Sequence, residues 1–208
     1  YLEAATLSCA GLTAWHALFG LEPLPPGATV AVLGTGGVSI WALQLAKAAG
    51  LRVLVTSSDD DKLRRARELG ADGTVNYRDT TDWGAALHRL SDGRGIDRVL
   101  DIGGSDTLAQ SIAALRTGGS VAVIGRLAGS APAQLDPAAL FLGNKRLLGM
   151  MVGSRAMACE LARFVGQHRL RPVIDRVFAV DESAAAFDYF ARGSHLGKVV
   201  IDLSGRVR

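Results

Sequence analysis

Gly34-Thr35-Gly36-Gly37-Val38-Ser39 is the stretch of this chain whose residue types and spacing prescribe a chemistry. Gly34 permits a tight turn, and Gly36, having no side chain, lets a pyrophosphate approach the backbone. Gly37 and Val38 open a helix, so their N–H groups are unpaired donors at the positive end of its dipole. Ser39 stands where a third glycine is usual and is small enough for close packing of helix on strand. The loop therefore offers anion binding rather than acid–base or nucleophilic chemistry. Its flanks decide how much weight it carries: Ala28 to Leu33 is a β-branched apolar run and Ile40 to Ala49 an apolar helical one. Strand, glycine turn and helix together make dinucleotide binding a better reading than a plain structural turn.

The elements that must position this loop follow in alternation. Strands are expected at Leu51 to Thr56, at Thr74 and Val75, at Asp97 to Ile102, at Ser120 to Ile124 and at Arg146 to Val152. Helices are expected at Asp60 to Leu69, Trp83 to Leu90, Ser105 to Leu115 and Arg155 to His168. With the first strand this predicts an α/β fold, a doubly wound parallel sheet of six strands in two halves. A helix at Glu3 to Phe19 precedes the sheet and ends at Gly20 and the linker containing Pro23, Pro25 and Pro26. After residue 170 come a strand (Val173 to Val180), a helix (Asp181 to Arg192) and a strand (Gly197 to Leu203), too little chain for a core of its own. The expected division is a hinge helix and linker at 1–26, a dinucleotide-binding domain at 27–170 and a return segment at 171–208.

Composition narrows the class. The 208 residues are 49% hydrophobic and carry a net charge of +3, with acids and bases interspersed. There is no basic stripe interleaved with aromatics, so no nucleic-acid partner is expected. No apolar run is long enough to span a bilayer, so no membrane partner is expected. Cys9 and Cys159 form neither a disulfide framework nor a CxxC clip, which makes a reducing, cytoplasmic setting the default. The chain opens at Tyr1 without a signal-peptide pattern and reads as a domain or a clipped product.

Five separated runs, in order, carry a resemblance: EAATLSCAGLTAWHAL from Glu3, GTGGVS, AKAAGLRVLVTSS, ARELGADGTVNYR, and GSHLGKVVI from Gly193. Together they resemble the medium-chain dehydrogenase/reductase superfamily, within it the zinc-type alcohol dehydrogenase-like and quinone oxidoreductase-like proteins. The resemblance covers essentially the whole chain. It implies an N-terminal GroES-like catalytic domain that this sequence does not contain, to which the segment from Arg171 would return. It also implies a nicotinamide cofactor with hydride transfer to or from an alcohol/carbonyl carbon or a quinone or enone. The alternative is a nucleotide-binding module without an active site. Substrate-polarising groups would come largely from the other domain.

Cofactor choice rests on residues. An NAD enzyme places an acid at the end of the second strand to accept ribose hydroxyls. Here that position is Ser57, followed by Ser58, with Lys62, Tyr77 and Arg78 on the same rim. A carboxylate would repel a 2′-phosphate, whereas a serine hydroxyl donates to it; similar family members hold that phosphate with the Lys and Tyr of these motifs. NADP(H) is therefore expected over NAD(H), and Asp59 to Asp61 are expected to cap their helix. The turns at Ile102 and Gly103, Ile124 and Gly125, and Val152 and Gly153 should line the nicotinamide side, and by resemblance Thr13 approaches the ring. No catalytic residue is assigned. In zinc-dependent relatives a cysteine placed like Cys9 binds the catalytic metal. His16 shares its helix, and His88, His168 and His195 have no ligand spacing, so zinc is not expected unless another domain supplies ligands.

Two surface expectations complete the reading. The strand Arg146 to Val152 is apolar and nearly uncharged (Leu147, Leu148, Met150, Met151), which predicts a homodimer through that edge unless the loop Leu127 to Leu142 covers it. Relatives in the superfamily pair through the same strand. Leu7, Trp15, Phe178, Phe187 and Tyr189 are expected as apolar surface left by the missing domain.

Overall fold

A computed structural model describes residues 1–129 and 131–205. Six parallel strands form one sheet in the order β3-β2-β1-β4-β5-β6. They are β1 (Thr29–Leu33), β2 (Arg52–Ser57), β3 (Gly73–Asn76), β4 (Ile96–Asp101), β5 (Leu115–Val123) and β6 (Arg146–Gly149). The first helical stretch runs without a break from Ala4 to Gly20 and contains α1 (Leu12–Trp15) between two wider, π-helical turns. The crossovers are α2 (Gly37–Ala48), α3 (Asp60–Glu68), α4 (Trp83–Leu90), α5 (Ser105–Ala114) and the short α6 (Ala138–Phe141). After β6 come α7 (Arg155–His168), β7 (Ile174–Ala179), α8 (Ser183–Ala191) and β8 (Lys198–Asp202), with β7 and β8 paired in parallel as a separate ribbon.

Strand alternation splits the core in two. Val30, Val32, Val53 and Val55 face the first helical stretch, α2, α3 and α7, whereas Ala31, Leu33 and Leu54 face α4 and α5. The doubly wound order reverses at β1 and β4, and it is the carboxyl ends of these strands that leave a crevice.

A buried guanidinium attaches the first helical stretch to this sheet. Arg98, on β4 and 1% exposed, donates to the carbonyls of Ala17 (3.2 Å), Leu18 (3.4 Å) and Glu22 (3.0 Å) and to Ser120 Oγ (3.1 Å). It supplies partners for carbonyls that a helix C-terminus leaves open.

Three expectations are corrected. The sixth strand stops at Gly149 instead of Val152, because the Met151 carbonyl turns aside to His16 Nδ1 (2.8 Å) and Gly153 takes φ +147. The fifth strand begins at Leu115, whose pairing with Ile96 draws Gly118 and Gly119 into it at a register shift. Of the expected apolar surface, Trp15 is buried against Phe19 (4.7 Å between ring centroids) and Phe164 (5.2 Å), because α7 covers that helix. Phe178 is buried beneath Tyr189, and Leu7 and Tyr189 are half-buried. Phe187 is exposed as expected, together with Phe190, Val177, Val180 and Leu203. No helix among the described residues is long and apolar enough to cross a membrane.

Candidate functional site

At the carboxyl ends of β1, β2, β4 and β5 lies a cavity of about 640 Å³, with a second of about 400 Å³ beside it. The glycine run forms the floor of the larger one. Gly34 sits at φ +73, which favours glycine. A Cβ on Gly36 would meet nothing within 4 Å, so its bare backbone faces open cavity. Gly37 is different: a Cβ there would lie 2.6 Å from Cδ of Lys198 and 3.2 Å from Cβ of Ala10. Its lack of a side chain serves packing beneath the C-terminal segment. Ser39 donates to the Leu33 carbonyl (2.7 Å), tying the start of α2 to the end of β1. Gly37 and Val38, in the first turn of α2, line the cavity, and N–H groups of a first helical turn have no intrahelical acceptor.

One wall comes from the end of β2. Ser57, Ser58, Lys62 and Tyr77 line the cavity together. The acidic run beside them is committed elsewhere. Asp59 caps α3 by accepting from the Lys62 N–H (3.1 Å), Asp60 accepts from Asn76 Nδ2 (3.0 Å), and Asp61 pairs with Arg64 (3.1 Å). Ile102, Ile124 and Gly125 form the opposite wall, and Gly103 lines the smaller cavity.

Four expected site residues do not reach either cavity. Thr13 is buried on the inner face of its helix. Arg78 lines neither cavity, and its backbone N–H donates to Asn76 Oδ1 (3.0 Å). Val152 packs into the core, and Gly153 lies against Leu12, both consequences of β6 ending early. Cys9 does line the larger cavity and is a free, exposed thiol. Among the described residues no three His, Cys, Asp or Glu side chains come together to hold a metal ion.

The sequence reading missed the third wall. Gly193, His195, Gly197, Lys198 and Val199 line the larger cavity from the C-terminal segment. Gly197 is bridged to Gly36, its N–H donating to the Thr35 carbonyl (2.9 Å), and Lys62 Nζ donates to the Gly193 carbonyl. Asp175 on β7 fastens the same segment to α3, accepting from Arg65 (3.2 Å) and from the Tyr189 hydroxyl (2.6 Å). Gly197 adopts φ +76 with Val173 O 2.4 Å from where a Cβ would be, so the Gly-Lys pair was the available signal.

His195 sits in this wall between two cations. Its ring stacks on Phe190 (4.8 Å), and its Nδ1 is out of solvent with no partner among the described residues. Burial, then Lys62 and more weakly Lys198, push its pKa below the ordinary histidine value, against a smaller opposing pull from Asp175. A histidine neutral in the fold but protonated when unfolded takes up protons on unfolding. Its contribution is present above the ordinary histidine range and is lost as pH falls from about 6.5 toward the depressed folded value. The expected result is a decline in urea midpoint over that interval that is shallower in His195→Gln. Parallel pH profiles for the two proteins would contradict it.

With that geometry in place, comparison with known proteins places the chain. Residues 37–167 match the family model for zinc-binding dehydrogenases. The chain belongs to the zinc-binding dehydrogenase family. It is 41% identical over 206 residues to a zinc-type alcohol dehydrogenase-like protein of Schizosaccharomyces pombe, covering 97% of this chain and 60% of that protein. Among solved structures it resembles an NAD-dependent alcohol dehydrogenase, with TM-score 0.89, 34% identity and coverage of 98% of this chain and 59% of the other. It also resembles a crotonyl-CoA carboxylase/reductase in complex with NADP, with TM-score 0.83, 27% identity and coverage of 93% and 54%. The chain thus spans about 60% of the length of the zinc-type alcohol dehydrogenase-like proteins it matches.

Proposed function

We propose that this chain is the cofactor-binding part of an NADP(H)-dependent oxidoreductase, with 27–170 as its dinucleotide domain and the segments on either side belonging with a catalytic domain. One observation carries the reading. An open glycine loop at a helix start shares a cavity with Ser57, Lys62 and Tyr77, and no acid of the neighbouring run lines it. The helix start receives the pyrophosphate, and Ser57, Ser58, Lys62 and Tyr77 receive the 2′-phosphate. Lys198 adds a second cation from the C-terminal segment. The nicotinamide supplies hydride transfer when bound, to or from a carbonyl, quinone or enone carbon, while this chain binds and orients it. One similar structure is NAD-dependent and another holds NADP, so neighbours of this fold take either cofactor, and the preference for NADP(H) rests on Ser57, Lys62 and Tyr77 alone. Both cysteines are free, which suits a reducing compartment such as the cytoplasm.

Calorimetric titration of the chain with NADPH and NADH tests the cofactor reading; equal affinity, or none, contradicts it. Adding aldehydes, quinones and enones, to this chain and then to a form extended at its N-terminus, separates an oxidoreductase from a nucleotide-binding module. The reading expects turnover in the extended form. Binding without turnover in either favours the module.

We also infer a homodimer through β6. Among the described residues β6 pairs only with β5, and α6 packs against α5. Leu148 is half-buried and Gly149 is open on the outer edge, whereas Leu147 and Met150 turn into the core and Arg146 is held by Glu22 (2.6 Å). Light scattering is expected to give a dimer for the wild type and a monomer for Leu148→Lys, since charge on an edge opposes pairing. A monomeric wild type, or a dimer undisturbed by the lysine, contradicts this interface.

A further inference from the structure

We propose that Asp101 is a positioning residue of the nucleotide site, its buried carboxylate holding the β4–α5 turn in register with the chain leaving β5. The inference rests on the cofactor reading above and adds to it a residue that touches no ligand.

Asp101 ends β4 and is 1% exposed. Its Oδ1 accepts from the N–H groups of Gly103 (2.9 Å) and Gly104 (3.0 Å) and from Thr107 Oγ1 (2.7 Å). Its Oδ2 accepts from Ser111 Oγ (2.7 Å). Four neutral donors therefore surround a carboxylate that burial would otherwise penalise heavily. Two of them fix the turn itself, and two come from successive turns of α5. Gly104, at φ +93, stands at the start of that helix with no side chain to cap it, so Asp101 does from outside what a capping residue would do from within.

The same residue reaches the other loop through its backbone. The Asp101 carbonyl accepts from the N–H of Ile124 (2.9 Å), and one step on the Ile102 and Gly103 carbonyls accept from Leu127 (3.0 Å) and Ala128 (2.8 Å). The two loops thus run side by side as a short ladder whose first rung is Asp101. Ile102, Ile124, Gly125 and Leu127 from that ladder wall the larger cavity, and Ile102, Gly103 and Ala128 wall the smaller one. A Cβ on Gly104 would lie 2.8 Å from Gly129 O and one on Gly125 2.8 Å from Ile102 O, so the ladder closes with no slack. Releasing the turn shifts both walls together, and misplacement of binding groups by about an ångström is enough to weaken a pre-organised site.

The test compares Asp101→Leu, Asp101→Asn and the double variant Thr107→Val with Ser111→Ala. NADPH affinity and the emission of the bound nicotinamide are measured well below each unfolding midpoint. Asp101→Leu strands the donors of the turn and is expected to weaken NADPH by about tenfold or more, with reduced emission enhancement. Asp101→Asn keeps an oxygen for the turn, and the Ser111 hydroxyl can rotate to accept from the new amide, so its affinity stays within about threefold. Should the leucine protein not fold, the double variant strips two donors from a carboxylate left in place and is expected to lose about threefold or more. A folded Asp101→Leu protein, or failing that a folded double variant, that is less stable but binds NADPH with wild-type affinity and emission overturns the inference and leaves the cofactor reading standing. A wild type that binds no nicotinamide nucleotide overturns the cofactor reading, and the inference with it.

Discussion

Lys62→Ala is expected to weaken NADPH by about ten- to a hundredfold while NADH changes by no more than about threefold. The lysine lies in the first turn of α3, lines the cavity beside Ser57 and Tyr77, and has its own N–H held by Asp59. An ammonium donating to a phosphate oxygen is a charge-assisted contact, worth about 1.5–3 kcal/mol, which converts to that range of affinity. Lys62 also donates to the Gly193 carbonyl, and the alanine loses that link to the C-terminal segment. The NADH titration reads this second effect alone, because it lacks the 2′-phosphate. Ser57→Asp is the converse experiment. A carboxylate at the end of β2 repels the phosphate and accepts from ribose hydroxyls, so it should reverse the preference. Equal loss of both cofactors in Lys62→Ala would place the 2′-phosphate away from this wall.

The largest expected change in stability is at Arg98. Arg98→Leu removes a side chain that is 1% exposed and leaves the carbonyls of Ala17, Leu18 and Glu22 without their donor. Each buried, unpartnered carbonyl costs about 1–3 kcal/mol, so a loss of roughly 3–5 kcal/mol is expected. For a chain of this size that lowers the melting temperature by about 10 °C. The burial that pushes the Arg98 pKa below its ordinary value, against the pull of Glu22, leaves the group charged at neutral pH, since an arginine starts so high. Glu22 retains Arg146 as a partner, which keeps the loss from growing further. The helix that Arg98 secures carries Cys9 and Ala10 to the cavity rim, whereas the glycine loop lies between β1 and α2 and Ser57 ends β2. Cofactor affinity measured well below the melting point should therefore stay close to wild type. A melting temperature within about 2 °C of wild type would show that water or rearranged side chains satisfy those carbonyls.

Much of the sheet was legible because it is written locally. The β-branched runs of β1 and β2, the glycine turn between β1 and α2, and the acidic cap of α3 each involve residues a few positions apart, and the structure has all of them. From these local signals came the doubly wound sheet and the glycine loop on the cavity floor, while Lys62 and Tyr77 were expected beside Ser57 partly through the family resemblance. Boundaries failed where a distant partner intervened. The sixth strand gives up its last residues because His16 takes the Met151 carbonyl across 135 positions, and that same early end keeps Val152 and Gly153 out of the site.

Hydrophobic period and turn glycines, which are properties of short stretches, specify the doubly wound fold and its dinucleotide-type glycine loop. Closure of the cavity depends on contacts between residues far apart in the chain. Gly193, His195 and Lys198 reach it because Gly197 docks on Thr35, because Lys62 reaches Gly193 across 131 positions and because Asp175 grips Arg65 across 110. Asp97, Arg98 and Asp101 read in the chain as three charged residues among the apolar residues of one strand. Their meaning lies in donors and acceptors that the fold brings to them. A buried charge is tolerated only where such partners converge, and convergence over long separations leaves no periodic signal in a sequence.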